Sequence, residues 1–153
     1  MKVVVCLPSF NEKQDIRNIT QTVDQGLTDL ALIYRDAQIE IINFDSNSTD
    51  GTSDTFIKTK TKHFKHSIVI KDDGGKGKNI LEFCKYAVKN NVDYCLTIDS
   101  DITSATPNWI TKLIQPLINN SADYVHQSIS VVDLRVAQQI ISRFLLFMRL
   151  QDM

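Results

Sequence analysis

Asp93-Tyr94-Cys95-Leu96-Thr97-Ile98-Asp99-Ser100-Asp101-Ile102-Thr103 decides the reading of this chain. The apolar stretch runs straight into two carboxylates one residue apart. A short apolar run bounded by polar residues reads as a buried strand, and the Asp-x-Asp pair then stands in the turn that closes it. Two hard oxygen anions at the mouth of a sheet suit Mg²⁺ or Mn²⁺, which keeps part of its shell for substrate phosphates. Buried acids left unpaired are costly, so a metal gives them a physical reason to be there. An isolated Asp-x-Asp is more often a helix cap plus a solvated turn acid. The meaning of this one depends on its company upstream.

Working outward, the chain alternates strand and helix. Lys2–Leu7 is a continuous β-branched run, and Ile39–Phe44 is a second one. Helical spacing joins Ile16, Ile19, Val23, Leu27 and Leu30 in a segment from about residue 12 to 32. A short helix is expected from Thr49-Asp50-Gly51 to about Lys60, a third strand at Ser67–Lys71, and a helix at Gly77–Asn90. After the strand Tyr94–Ile98, Pro107 starts a helix reaching about Asn119. A fifth strand at Ala122–Gln127 and a long closing helix at Leu134–Leu150 complete the pattern. Short, doubly buried strands between helices predict an α/β fold, a mainly parallel sheet with helices on both faces.

In such sheets ligands bind beyond the carboxyl ends of the strands. Polar and flexible residues gather at those ends. Pro8-Ser9-Phe10-Asn11-Glu12 follows the first strand, and Asp45-Ser46-Asn47-Ser48-Thr49-Asp50-Gly51-Thr52 follows the second. Asp72-Asp73-Gly74-Gly75-Lys76-Gly77-Lys78 follows the third, and Asp99-Ser100-Asp101 the fourth. Each alone reads as a turn or cap. Together they outline one cleft with acids for a metal or ribose hydroxyls, and with lysines and glycine amides for phosphate.

Composition narrows the function classes. A chain of 153 residues with 42% hydrophobic content can bury one good core, so one domain over 1–153 is expected. The net charge of −1, from 17 basic and 18 acidic residues, leaves no global field to recruit nucleic acid or anionic membrane. Cys6, Cys84 and Cys95 are odd in number and sit in apolar contexts, as reduced core residues of a cytoplasmic protein do. No signal peptide or membrane span is visible, so the sequons at Asn18, Asn47 and Asn119 carry no expected glycan. His63, His66 and His126 do not form a ligand-spaced set. Competing motifs fail on spacing. Asp72 and Asn79 stand where a P-loop needs Gly and Ser/Thr, Pro8-Ser9-Phe10-Asn11 replaces a dinucleotide fingerprint, and Asp50 and Phe56 break an EF-hand read from Asp45.

As an ordered set, Pro8–Glu12, Phe44–Thr52, Gly75-Lys76-Gly77 and Asp99-Ser100-Asp101 resemble nucleotide-sugar glycosyltransferases of the A-type fold, over about the first 130 residues. Gly75-Lys76-Gly77 and the run from Asp99 to Ser104, followed by Pro107–Lys112, look most like mannosylglycerate synthases and glucosyl-3-phosphoglycerate synthases, which are retaining and use divalent metal. The large inverting family 2 shares the first two motifs. One departure stands out: family 2 usually has two adjacent acids after the second strand, and here the second is Ser46.

The resemblance implies a donor that is a nucleoside-diphosphate sugar, GDP- or UDP-linked, and a Mg²⁺ or Mn²⁺ cofactor. It implies a nucleotide-sugar pocket from Pro8, Phe10, Asn11, Glu12, Asp45, Asn47, Gly75, Lys76, Asp99 and Ser100. Glu12 and Asp45 would line the base and ribose, and Lys76 the diphosphate. Asp99 and Asp101 form the metal pair, with Asp101 the direct ligand and Asp99 facing the ribose or a metal-bound water. Against these stand plainer readings: Glu12 as a helix N-terminal acid, Lys78 as a solvated lysine, and Trp109 as core.

Full transferases of this fold run well past the Asp-x-Asp turn, and that later half supplies the acceptor pocket. The chain is therefore expected to be a donor-binding part, with the acceptor-binding half absent. The closing helix, apolar at Val136, Ile140, Ile141, Phe144, Leu145, Phe147 and Met148, then awaits a partner chain or a second copy; a membrane surface is the less favoured occupant. Two functions remain open at this level: a metal-dependent glycosyltransferase or its donor half, and a non-catalytic nucleotide-sugar-binding module that pairs with another chain. A sugar nucleotidyltransferase shares the sheet but should carry a Gly/Arg-rich phosphate loop after the first strand, which Ser9-Phe10-Asn11-Glu12 is not.

Overall fold

The computed structural model describes residues 1–71, 75–123 and 125, and the backbone of 146–149. Its elements are β1 (Lys2–Ser9), α1 (Ile16–Ile33), β2 (Gln38–Asp45), α2 (Thr52–Lys58), β3 (Phe64–Val69), α3 (Gly75–Lys89), β4 (Tyr94–Thr97), α4 (Asn108–Ile118) and β5 (Leu146–Arg149). The strands lie in the order β3-β2-β1-β4-β5. The first four are parallel, and β5 runs antiparallel to β4. β1 therefore sits centrally. The chain winds outward from it to β3, then returns to β4 on its other side. The loops after β1 and β4 part at this reversal and leave a crevice between them.

Two apolar layers hold the sheet. On one face Val3, Val5, Leu7, Ile41 and Leu96 pack against α1, Phe56 of α2 and α4. On the other, Val4, Cys6, Ile42, Phe44 and Cys95 pack against Phe83 and Ala87 of α3. This is the expected sheet with helices on both faces. Strand alternation sends odd residues of β1 to one layer and even residues to the other. Trp109 packs partly buried against the first layer, in line with its plainer reading. Burial pushes the Cys6 thiol well up and raises Cys95 to about 12, so both stay protonated core groups.

The stripe predicted for α1 is fully inward: Ile16, Ile19, Val23, Leu27 and Leu30 are all buried. Gly26 has a separate task. A Cβ built there would lie 2.3 Å from the Pro107 carbonyl oxygen and 2.5 Å from Ile110 Cγ1, so its bareness lets α1 and α4 touch. Gly26→Ala is expected to destabilise the fold by about 1–3 kcal/mol, overpacking outweighing the gain in helix propensity. Urea unfolding checks this, and an unchanged midpoint would refute the close approach.

Asp24, on α1, anchors the segment entering β3. Its carboxylate accepts the Lys62 N–H (3.0 Å to Oδ2), the His63 N–H (3.0 Å) and a contact from His63 Nδ1 (2.9 Å). Burial alone would raise this carboxyl, but the Lys62 and His63 hydrogen bonds outweigh it and hold the group below its ordinary 3.8. A depressed folded value means the stabilisation is present above the unfolded pKa and fades as pH falls through the folded one. The stability gap between wild type and Asp24→Ala is expected to be large at pH 7 and to shrink below pH 3.8, the ordinary value of the group. Urea titrations at pH 7 and near pH 3 measure it, and a gap independent of pH would contradict the ionised anchor.

Element boundaries depart from sequence expectation in instructive places. β3 begins at Phe64, three residues early, because the Asp24 anchor delivers the chain into pairing with Glu40 at that point. α1 starts at Ile16, and residues before it form a turn in which the Glu12 carbonyl accepts the Asp15 and Ile16 N–H groups. Glu12 is thus not an acid of the first helical turn. The fifth strand expected at Ala122–Gln127 is not seen at Ala122, Asp123 or Val125, and its other residues lie outside the described set.

The helix expected at Leu134–Leu150 is corrected at Leu146–Arg149, where the backbone pairs with β4 as a strand, Leu146 opposite Thr97 and Arg149 opposite Tyr94. Residues 134–145 and 150 lie outside the described set. The physical reason is that a short apolar run fits a buried strand as well as a helix, and the free edge of β4 offers it a backbone ladder. Self-association or partner binding through this segment as a helix loses its basis there. Among the described residues, no helix is long and apolar enough to cross a membrane.

Candidate functional site

The carboxyl ends of β1, β2 and β4 are stitched into one platform. The ladder continues past the strands: Ser46 N–H donates to Ser9 O (2.9 Å), and Ile98 N–H to Cys6 O (3.0 Å). Ser100 Oγ donates to Pro8 O (2.8 Å), tying the Asp-x-Asp turn to β1. Beneath the loops runs a polar chain. Asn43 Nδ2 donates to Leu7 O (2.9 Å) and Ser9 Oγ (2.7 Å), and Ser67 Oγ donates to Asn43 Oδ1 (2.8 Å). Ser53 and Ser67 hydroxyls lie 2.9 Å apart. Buried polar groups are tolerable because they satisfy one another.

The chain ends at Asp45, which is 1% exposed. Its Oδ1 accepts the Ser48 N–H (2.7 Å), and its Oδ2 the Ser53 hydroxyl (2.6 Å). Both carboxylate oxygens are thus engaged in shaping the loop. Asn11 likewise laces the first two loops. Its N–H donates to Ser48 Oγ (2.8 Å), and its Oδ1 accepts the Thr49 N–H (3.0 Å). Asn11 and Asn47 have φ of 55° and 60°, a left-handed backbone that asparagine tolerates better than most residues. The Glu12 N–H donates to Thr52 Oγ1 (2.9 Å), and Asp50 caps Thr52 in turn.

Above this platform opens a cleft of about 210 Å³. Of the residues singled out in the sequence, it brings together Pro8, Phe10, Glu12, Lys76, Asp99, Ser100 and Asp101. Asn11, Asp45, Asn47 and Gly75 stand outside its lining. Ser9, Ser46 and Asn79 line it unforeseen. Asn79 was legible only as a polar residue on the inner face of an amphipathic helix; its Nδ2 donates to Phe44 O (2.8 Å), fastening α3 to β2. Asp72, Asp73 and Gly74, of the third loop, lie outside the described residues.

The electrostatics centre on Asp99. It is 4% exposed, and its Oδ2 lies 2.5 Å from the Lys76 ammonium. Lys76 reaches it from the first turn of α3, just after Gly75 at φ 56°. Asp101, partly exposed, stands in the same cleft wall. Phe10 presents its ring, 60% exposed, at the rim. The cleft wall thus carries three carboxylates, those of Glu12, Asp99 and Asp101, together with one ammonium and an open aromatic face. Among the described residues, no group of three or more His, Cys, Asp or Glu side chains converges on one point. Asp99 and Asp101 are the carboxylates of this wall that could hold a hard divalent cation such as Mg²⁺ or Mn²⁺.

The sequence profile of glycosyl transferase family 2 matches residues 4–149, nearly the whole chain. The chain belongs to glycosyl transferase family 2. The family resemblance carried by the four loop motifs is thereby borne out. A search among curated proteins gives no match. Solved structures share the fold. Glucosyl-3-phosphoglycerate synthase from Mycobacterium tuberculosis, in complex with Mn²⁺, UDP-glucose and phosphoglyceric acid, superposes with a TM-score of 0.64 at 21% identity, over 90% of this chain and 46% of that one. Another structure of that synthase gives 0.56 at 23% identity, over 76% and 40%. S. aureus TarS, residues 1–349, gives 0.60 at 20% identity, over 87% and 37%. This family 2 chain therefore spans less than half the length of the structures it matches.

Proposed function

We propose that residues 1–153 form a nucleotide-sugar-binding domain, the donor-binding part of a metal-dependent glycosyltransferase. The observation that carries this reading is the meeting of Asp99, Asp101 and Lys76 in one cleft at the reversal of strand order. Family membership supports the reaction class, and the UDP, Mn²⁺ and Mg²⁺ in complexes of the M. tuberculosis synthase support UDP as the nucleotide to test first.

In this reading Asp101 and Asp99 hold the metal. Lys76 meets the diphosphate as a point charge. Phe10 offers its ring to the base, and Glu12 a carboxylate to ribose hydroxyls. Asp45 acts one step back, by holding the loop that carries Ser46 into the cleft. Bound Mg²⁺ or Mn²⁺ would supply neutralisation of the charge that builds on the departing nucleoside diphosphate. The cleft is smaller than the roughly 300–1,000 Å³ of a complete ligand site, so the described residues supply part of an enclosure.

A thermal-shift panel of nucleoside diphosphates, each with Mn²⁺ and with EDTA, tests the proposal. Ligand at a hundredfold excess over Kd stabilises by about 2.7 kcal/mol, roughly 5–11 °C for a domain of this size. At least one diphosphate is expected to shift the melt only when Mn²⁺ is present. A panel without any shift would refute donor binding.

A further inference from the structure

A chain whose net charge is only −1 carries one strongly basic stretch. From Thr55 to Lys71 stand five lysines, Lys58, Lys60, Lys62, Lys65 and Lys71, and no aspartate or glutamate. Four of them lie where α2 gives way to β3. The strands β1 to β4 are parallel, so the amino end of β3 is at the end of the sheet opposite the cleft.

The link from α2 to β3 is tied down from within. The Thr59 hydroxyl donates to Thr55 O (2.7 Å), and Thr61 Oγ1 donates to His63 O (3.0 Å). The buried Asp24 carboxylate accepts the Lys62 and His63 N–H groups, each at 3.0 Å. The side chains between these ties go outward. Lys58, Lys60, Lys62 and Phe64 are exposed, whereas Thr59 is buried and Thr61 and His63 are partly buried. Lys65 turns back instead, its ammonium donating to Ile57 O (2.6 Å) and lying 5.1 Å from the centre of the Phe56 ring. Asp54 stands 4.0 Å from Lys58, but both side chains are largely in solvent, and such a pair holds little. Among the described residues, no hydrogen bond or ion pair engages the ammonium of Lys60 or Lys62.

Two large apolar side chains flank these lysines: Phe64 is 66% exposed and Ile57 50%. A basic surface set with exposed apolar groups complements an anionic bilayer. Its ammonium groups meet headgroup phosphates and carboxylates, while the apolar side chains enter the acyl boundary. A single-stranded nucleic acid would want aromatic faces along its track, and Ile57 offers none. We propose that Ile57, Lys58, Lys60, Lys62 and Phe64 form a docking surface for an anionic phospholipid bilayer. Docked there, the chain turns its cleft away from the membrane and leaves it open to solvent.

The test is co-sedimentation of the full chain with vesicles of phosphatidylcholine, with and without phosphatidylserine. Wild type is compared with the double variant Lys60→Gln/Lys62→Gln, whose changes lie on exposed side chains, and circular dichroism checks that it is folded. Wild type is expected to sediment with the phosphatidylserine vesicles only, and to be released at about 1 M salt, where screening shortens the reach of each charge to a few ångströms. Each lysine near an anionic surface strengthens binding about fivefold, so the double variant should bind about 30-fold more weakly. Phe64→Trp should be quenched by lipids brominated in the acyl chain, beyond the quenching of wild type, whose Trp109 packs partly buried against the first apolar layer. Equal sedimentation with both vesicle types overturns the proposal, as does a double variant that binds as wild type does. Binding to a single-stranded RNA without binding to vesicles would also overturn it, and would give the lysines to a polyanion instead.

Discussion

Replacing Asp101 by alanine is expected to abolish the metal-dependent part of nucleoside-diphosphate binding. Asp101 stands in the turn that Ser100 pins to Pro8, so its carboxylate is presented from a platform that the substitution leaves in place. The variant loses one of the two carboxylates of the Asp-x-Asp turn in the cleft wall. The one that remains, Asp99, is already paired with Lys76. A loss on the order of 100-fold in UDP affinity in Mn²⁺ is expected, about 2.7 kcal/mol. Binding in EDTA should change far less. Calorimetric titration of both proteins under both conditions measures the difference. Equal Mn²⁺ dependence in wild type and Asp101→Ala would remove Asp101 from the metal site.

Replacing Asp45 by alanine is expected to act first on stability. The carboxylate is buried and accepts two hydrogen bonds, from the Ser48 N–H and the Ser53 hydroxyl. Hydrogen bonds to a charged group contribute about 1.5–3 kcal/mol each, and a buried donor left without an acceptor adds to the cost. A net loss of about 3 kcal/mol is expected, roughly 6–12 °C in melting temperature for a domain of this size. Asp45→Asn should lose less, because its amide oxygen still accepts the Ser48 N–H. Urea unfolding of the three proteins checks the order. If Asp45→Ala were as stable as wild type but bound UDP more weakly, Asp45 would be a direct ligand contact rather than the keystone of its loop.

These two aspartates show what the sequence could and could not reveal. Both stand at the carboxyl end of a strand in a polar loop, and both were read as ligand residues. Chain position placed them at the correct edge of the sheet because strand alternation and helix spacing are local signals. The direction of each side chain is decided by how its loop folds, which strand and helix periodicity do not encode. Asp45 turns to Ser53 through a helix that follows its loop, whereas Asp101 lines the cleft. Asn11 and Asn47 enter the pocket only through the family resemblance, and the structure gives their identity a backbone reason, a positive φ.

The same limit explains the rest. Gly26 looked like an unremarked helical glycine until α4 was placed against it. Asn43 interrupts the apolar run of β2, a signal of a buried polar chain whose connections to Ser9 and Ser67 needed the register of β1, β2 and β3. At Leu146–Arg149, the apolar run could not be assigned to helix or strand without knowing that β4 had a free edge. The loops that define the cleft were legible as a set because four weak signals converge at one end of one sheet. The Lys76–Asp99 pair was not, because both residues had been assigned to ligands rather than to each other.

The most direct measurement is a crystal of the chain grown with UDP and Mn²⁺, with data collected at the manganese absorption edge. An anomalous peak bonded to the Asp101 carboxylate and the diphosphate is expected, with the base on the Phe10 side and the Lys76 ammonium at the phosphate. Nucleotide bound elsewhere on the molecule, or in this cleft with no metal at Asp101, would contradict the assignment.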